Sequence, residues 1–221
     1  RMAILAALAL LGWLASSFAV AYRLTRRARP PAPEPPPAVG WGTAEELALR
    51  TADGETLGAW FFAGRADRPA VVLLHGNGAN RTACLPEAEL LASAGYPVLA
   101  VTLRAHGDSS GEVNDFGLSA RHDVVAAVGW LEGKRPGSAV VVWGRSLGSA
   151  AALFAAPDLG PRACGYVLEC PYRDLRTAVR NRLRDRLPPG LDALAFAGLR
   201  VAAPVVLPDF DRISPVDAAA A

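Results

Sequence analysis

A serine flanked by glycines stands at the centre of the segment Gly144-Arg145-Ser146-Leu147-Gly148. An apolar β-branched run, 140–142, precedes it and a run of small residues, 149–152, follows it, so we expect a sharp turn between a strand and a helix. Such a turn lifts the hydroxyl above a sheet, and the flanking glycines allow strand and helix backbones to pass closely. The pattern predicts that Ser146 is a nucleophile, and a structural serine at a tight turn is the alternative.

A second polar loop, His75-Gly76-Asn77-Gly78, follows the apolar run 70–74. Attack of a hydroxyl on a carbonyl carbon creates an oxyanion that N–H donors must stabilise. We expect the backbone N–H groups of Leu147, next to the serine, and of Asn77 to be these donors. His75 is expected to orient the loop, and a role for it as the catalytic base is the less favoured alternative.

Short apolar runs alternate with segments of helical periodicity along the chain. The predicted strands are 46–51, 56–62, 70–74, 97–103, 139–143 and 165–168, and the predicted helices are 82–94, 119–132 and a segment that starts at 147. This alternation predicts the α/β class, with a mostly parallel sheet flanked by helices. Ligands bind at the carboxyl ends of strands in such sheets, which is where both polar loops fall.

The order strand–HGNG, strand–RAHGDSSG, strand–GRSLG and VLECPYRDL resembles the serine α/β-hydrolases, particularly membrane-anchored members with an HGN loop. The resemblance runs from about Glu46 to Asp217. It implies cleavage of an ester, thioester or amide through an acyl intermediate on Ser146, with no metal or organic cofactor. It also implies that His106 and Asp108 belong to a structural turn. The positions that support its motifs are His75, Gly76, Gly144 and Gly148.

The resemblance also implies that an acid and a histidine follow the serine, and the sequence departs from this order. His75, His106 and His122 all precede Ser146, and a serine hydroxyl without an imidazole is a poor nucleophile. We favour a C-terminally incomplete hydrolase, a fragment of a longer product. The alternative is an inactive, membrane-tethered binding scaffold. Glu169 is a candidate acid within the chain, although a structural carboxylate is the favoured interpretation.

Residues 1–29 are predicted to form a membrane anchor with a basic flank. The 21 residues 2–22 carry no charge, and a helix of that length spans roughly 30 Å, the thickness of the bilayer hydrocarbon. One arginine precedes this segment and four follow it, which predicts a single span with the body in the cytoplasm. A cleaved signal peptide, ending at Ala19-Val20-Ala21, would instead give a secreted or periplasmic body.

Residues 30–40 are predicted to be a proline-rich linker, extended and semi-rigid, that holds the body off the membrane. Residues 41–221 are predicted to be the hydrolase domain, with a cap at about 173–207. Apolar residues recur every fourth position in the first part of this cap, among many arginines. Two interpretations of this basic segment are open. It contacts anionic headgroups, or it is a solvated helix with its leucines on the core.

The charge distribution excludes a nucleic-acid-binding body. The chain has 23 basic and 21 acidic residues, but five bases and no acid precede Pro30, which leaves 18 bases against 21 acids downstream. The three cysteines fit neither a zinc site nor a disulfide framework. The expected partners are therefore a small acyl-containing substrate and the membrane, and the sequence does not indicate an oligomeric state.

Overall fold

A six-stranded sheet with the order β1-β2-β4-β3-β5-β6 forms the centre of the computed structural model, which describes residues 1–220. The strands are β1 (Ala44–Arg50), β2 (Thr56–Phe62), β3 (Ala70–Leu74), β4 (Val98–Val101), β5 (Val140–Arg145) and β6 (Gly165–Glu169). Strands β4, β3, β5 and β6 are parallel, whereas β1 and β2 form an antiparallel hairpin that continues the sheet beside β4. The predicted α/β class with a mostly parallel sheet is confirmed.

Helices cover both faces of this sheet because its central strands are apolar on both sides. The helices are α1 (Met2–Leu24), α2 (Leu85–Ser93), α3 (Arg121–Lys134), α4 (Leu147–Leu159), α5 (Leu175–Arg186), α6 (Leu191–Val206) and α7 (Pro215–Ala218). The face under α3 and α4 buries Val72, Leu99, Val124, Leu131 and Leu159. The face under α2 buries Trp60, Phe62, Val71, Leu73 and Ala88. These two apolar layers position the strand ends that carry the polar loops.

Residues 173–207, expected as a cap, contain the antiparallel pair α5 and α6. Leu175 and Leu207 pack on the outer side of α4 with Phe154, while the arginines of α5 face solvent. The first half of the apolar stripe of α5, Leu175 and Val179, therefore packs on the body, as expected for a solvated helix with its leucines on the core.

The N-terminal helix α1 is, among residues 1–220, the one helix long and apolar enough to cross a membrane, with a mean hydropathy of 2.1. It packs along α6, where the indole N–H of Trp13 donates to the carbonyl of Leu194 at 3.3 Å. Ser17 packs directly on Gly198, where a Cβ would lie 2.9 Å from the Cβ of Ser17. The N-terminal segment is therefore a candidate membrane span that also contacts the body.

The expectation that residues 30–40 act as a spacer is wrong, because this segment lies against the body. The carboxylate of Glu34 accepts a hydrogen bond from Thr102 at 2.7 Å and pairs with the fully buried Arg81 at 3.1 Å. The backbone carbonyl of Glu34 also accepts from Arg81, at 2.6 Å, and Asp108 pairs with the same guanidinium at 2.6 Å. A buried guanidinium needs several acceptors, and this demand holds the proline-rich segment on the fold.

Replacing Arg81 with methionine should destabilise the protein, because the buried Glu34 carboxylate then lacks its counterion. Loss of one partner of a buried pair typically costs about 3–5 kcal/mol of unfolding free energy. Thermal unfolding in detergent should show a clearly lower Tm for R81M and partial recovery in R81M/E34Q. The exposed Arg65–Asp67 pair provides the control, since R65M should change the Tm little. A double variant no more stable than R81M would contradict the pairing argument.

Candidate active site

Ser146 occupies the junction of β5 and α4 with φ 49° and ψ −104°. A non-glycine residue in this left-handed region is strained and is retained only where its surroundings fix it. The N–H of Ser146 donates to the carbonyl of Glu169 at 2.8 Å, and its own carbonyl accepts from Ala150 at 3.0 Å. The side chain is half-buried, and within residues 1–220 its hydroxyl makes no hydrogen bond. The strained turn thus presents a hydroxyl with no structural partner among the described residues.

Two glycines permit this turn because backbone atoms fill the space that their side chains would need. A Cβ on Gly144 would lie 2.4 Å from the carbonyl carbon of Gly148, and a Cβ on Gly148 would lie 2.5 Å from the carbonyl oxygen of Leu74. The N–H of Gly148 donates to the carbonyl of His75 at 3.1 Å. The start of α4 is therefore joined directly to the end of β3, as the spacing of the two glycines predicts.

His75 holds the loop after β3 and uses both ring nitrogens to do so. Its Nε2 accepts a hydrogen bond from the N–H of Leu103 at 3.0 Å, which places the proton on Nδ1, 2.8 Å from the carbonyl of Gly76. Burial lowers the pKa of His75 to about 3, because an imidazolium could not be hydrated there. The ring is thus neutral and fully engaged, which fits orientation of the loop and not base catalysis.

The two expected donors, Asn77 and Leu147, lie on the loop after β3 and at the start of α4. The glycine before Asn77 lies close to the turn, since a Cβ on Gly76 would be 3.8 Å from the Cβ of Ser146. Leu147 is the first residue of α4, so its N–H has no intrahelical partner. Within residues 1–220 the N–H of Asn77 is also without an acceptor. Two unpaired amides beside a serine can stabilise an oxyanion.

His106 and Asp108 serve the structure of the turn after β4, as the resemblance implies. The Nε2 of His106 accepts from the N–H of Gly78 at 3.1 Å, and its Nδ1–H donates to the carbonyl of Arg104 at 2.8 Å. Burial lowers the pKa of His106 below its ordinary value. Asp108 is engaged by Arg81 through both carboxylate oxygens. Both side chains are therefore engaged in hydrogen bonds that order the turn.

The third histidine, His122, lies at the start of α3 and is half-buried. Glu169, the candidate acid, ends β6 and accepts hydrogen bonds from Trp143 at 2.6 Å and Arg145 at 3.1 Å. These two bonds hold the pKa of Glu169 below its ordinary value, the bond from Trp143 most strongly. The carboxylate is therefore tied to its own sheet, in accordance with the structural interpretation.

Two residues that the sequence analysis missed complete the site. The hydroxyl of Ser149 donates to the carbonyls of Gly144 at 2.6 Å and of Glu169 at 2.9 Å, and so ties α4 to two strand ends. The side chain of Asn114 donates to the Oδ1 of Asn77 at 2.8 Å. Neither has a sequence signal, because the first is one of several small residues in a helix and the second lies in an aperiodic loop.

Two concave surfaces are relevant to the site, one beside the turn and one between helices. A cavity of about 120 Å³ is lined by His75, Gly76, Asn77, Cys84, Glu87, Trp143, Arg145 and Glu169. An apolar groove runs between α1, α5 and α6 and is lined by Ala21, Leu24, Phe116, Leu175, Val179, Leu199, Ala203, Val206 and Phe210. Among residues 1–220, no three His, Cys, Asp or Glu side chains are placed to share a metal ion.

The fold agrees with comparisons to known proteins. A family model described as "Alpha/beta hydrolase family" matches residues 71–221. The chain belongs to this family. This alpha/beta hydrolase is 32% identical to human Protein ABHD12B over 147 residues, which cover 64% of this chain and 40% of that protein.

A second relative of the alpha/beta hydrolase is the Lysophosphatidylserine lipase ABHD12 of Xenopus tropicalis, 26% identical over 155 residues, which cover 67% of this chain and 40% of the lipase. The solved structure of the Pyrococcus furiosus esterase Pf2001 matches with a TM-score of 0.58 and 26% identity, covering 77% of this chain and 68% of the esterase. The chain thus spans about 40% of the length of these two curated relatives.

A methyl group on Gly144 should disrupt the turn, because it would meet the backbone of α4. Gly144→Ala is expected to lower the unfolding free energy by at least about 1–3 kcal/mol, the usual cost of overpacking. Gly133→Ala is the matched control, since a Cβ there meets no atom within 4 Å and alanine favours the helix. Thermal unfolding should separate the two variants, and equal Tm values would contradict the proposed close approach.

Acid should destabilise the fold partly through His75, whose pKa of about 3 lies below the ordinary value of about 6.5. Below pH 6.5 the unfolded chain binds a proton that folded His75 does not, so stability falls by about 1.4 kcal/mol per pH unit until the pH approaches the folded-state pKa. His75→Gln keeps an acceptor for Leu103 but does not titrate, so its Tm should fall less between pH 7 and 4.5.

The matched control for this titration is His122→Gln, which alters a half-buried residue at the start of α3. This variant should retain the parent's dependence of Tm on pH. Parallel curves for the parent and His75→Gln would show that His75 does not contribute to the acid sensitivity.

Proposed function

We propose that this alpha/beta hydrolase cleaves an ester, thioester or amide bond through an acyl intermediate on Ser146. The observation that carries the proposal is the unpartnered hydroxyl of Ser146 on a strained turn. The unpaired N–H groups of the next residue, Leu147, and of Asn77 in the facing loop support it. The hydroxyl oxygen would bond to the carbonyl carbon while a base takes its proton. The oxyanion would accept hydrogen bonds from the two amides, and the leaving group would depart with that proton. Water would then release the acid and restore Ser146.

The base and its acidic partner are proposed to come from residues outside 1–220. His75 and His106 each use both ring nitrogens in structural hydrogen bonds, so neither can receive the serine proton. The chain spans about 40% of the length of its curated relatives, which supports a contribution from residues beyond the described ones. We accordingly expect residues 1–221 alone to turn over substrate poorly.

The substrate is proposed to be a small acyl-containing molecule, an acyl ester of a lipid being the candidate best supported. The apolar groove between α1, α5 and α6 offers a surface for a hydrocarbon chain, and one relative is named a lysophosphatidylserine lipase. Residues 1–29 would anchor the protein by a single span, with the body on the cytoplasmic side because basic residues follow the span. Residues 173–207 would serve as the cap, within the hydrolase domain 41–221. No cofactor and no nucleic acid are required by this scheme.

The second candidate is an inactive, membrane-tethered scaffold that retains the pocket. It is favoured by one observation, namely that His75 and His106, the histidines in the loops after β3 and β4, use both ring nitrogens in hydrogen bonds. The two candidates differ in a property that can be measured directly, the reactivity of this hydroxyl.

A fluorophosphonate probe should modify Ser146 stoichiometrically in the longer protein that the proposal requires. Peptide mapping should locate the adduct, and Ser146→Ala should abolish it. Residues 1–221 alone should react at least about 100-fold more slowly, because general base catalysis contributes roughly 10²–10⁴ to such steps. Absence of labelling in the longer protein would favour the scaffold, whereas esterase activity of residues 1–221 that depends on Ser146 would contradict an external base.

A further inference from the structure

Arg27 lies three residues after the end of α1 at Leu24, and its side chain is buried against the turn that follows β4. Its side chain is 4% exposed. The guanidinium donates to the carbonyls of Gly107 and Gly111, both at 3.1 Å, and to that of Ser109. Its backbone N–H donates to the carbonyl of Glu112 at 2.9 Å. One side chain thus fixes several backbone carbonyls of a loop that has no regular secondary structure.

The same loop is paired with the backbone at the end of α1. Arg26 and Val113 form an isolated antiparallel β-bridge, and the N–H of Asn114 donates to the carbonyl of Thr25 at 2.9 Å. The segment that leaves α1 therefore acts as a short edge strand for residues 112–114. This pairing places the side chain of Asn114 next to the loop after β3.

Asn114 connects this loop to Asn77 by a hydrogen bond. The Oδ1 of Asn114 accepts from the N–H of Phe116 at 3.2 Å, which orients its Nδ2 away from Phe116. This Nδ2 donates to the Oδ1 of Asn77 at 2.8 Å. His106, in the same turn, accepts from the N–H of Gly78 at 3.1 Å. Asn77 and Gly78 are thus both hydrogen-bonded to the loop that Arg27 orders.

We propose that Arg27 and Asn114 are positioning residues that fix the amide of Asn77 beside Ser146 and make the end of α1 part of the active-site scaffold. This inference rests on the proposed function for its catalytic consequence. An arginine is required because its planar fork reaches several carbonyls at once, whereas a lysine would keep the charge and satisfy fewer of them. The N-terminal segment would accordingly tether the body and also shape its oxyanion site.

Hydrogen exchange of the peptide covering residues 75–80 tests the positioning directly, in the full chain held in detergent micelles. Arg27→Ala should accelerate exchange there, on the order of tenfold, because local opening becomes easier. Arg27→Lys should restore little of the protection, since charge alone does not replace the carbonyl contacts. Arg29→Ala is the matched control. Arg29 lies two residues after Arg27 and is exposed, so its loss removes the same charge and should leave exchange unchanged. Equal exchange in Arg27→Ala and Arg29→Ala would overturn the proposal.

Asn114→Ala provides a milder variant if Arg27→Ala fails to fold. It removes the bond to Asn77 and keeps the backbone pairing with Thr25, so exchange should rise in residues 75–80 but not in 105–112. No increase at 75–80 would overturn the proposal. This measurement does not depend on catalysis and decides the positioning whether or not Ser146 reacts.

The rate of fluorophosphonate labelling in the longer protein tests the catalytic consequence. Both Arg27→Ala and Asn114→Ala should slow modification of Ser146, by about tenfold or more, with Arg29→Ala at the parental rate. A loosened loop with unchanged labelling would overturn the catalytic part of the proposal. If the parent itself does not label, the proposed function fails, and the exchange data still decide the role of Arg27 in the structure.

Discussion

The start of α4 lies in direct backbone contact with the end of β3, and the geometry of the site follows from this approach. Gly148 rests against the carbonyl of Leu74 and donates its N–H to His75. Because no side chain separates the two elements, the first amides of α4 reach the loop that follows β3. The strain at Ser146 is the cost of turning the chain within this space. A looser junction would separate the hydroxyl from the amides.

Buried arginines hold the loops at this edge of the sheet, whereas apolar burial holds the sheet itself. Arg104 pairs with Asp53 at 2.6 Å and with Asp123 at 2.7 Å, and Arg81 joins Glu34 to Asp108. Burial raises the pKa of Asp123 to about 6, against the bond from Arg104 that favours its charged form. Loops cannot bury much apolar surface, so they are ordered instead by charge-assisted hydrogen bonds of fixed geometry.

The N-terminal segment contributes more to the body than a tether would. Glu34 lies in the buried network around Arg81, and α1 packs along α6, next to an apolar groove. The proposed reaction also needs a base. The imidazoles of His75 and His106 do not fit this role, because both are hydrogen-bonded to backbone groups. In the proposed scheme the described residues provide the hydroxyl of Ser146 and the two amides, and neither of these two histidines is the proton acceptor.

The sequence by itself determined the class of the sheet and the positions of both polar loops. It also predicted that Gly144 and Gly148 allow strand and helix to approach closely. Hydrophobic periodicity, β-branched residues and turn glycines are local properties, so they can be read without the fold. The sequence also indicated that His75 orients its loop, which its two hydrogen bonds agree with. It gave the wrong role to residues 30–40, since proline content reports backbone stiffness and not the buried Arg81 that attracts Glu34. The part played by Asn114 emerged only in the tertiary structure, because its bond to Asn77 joins residues 37 apart and depends on how two loops meet.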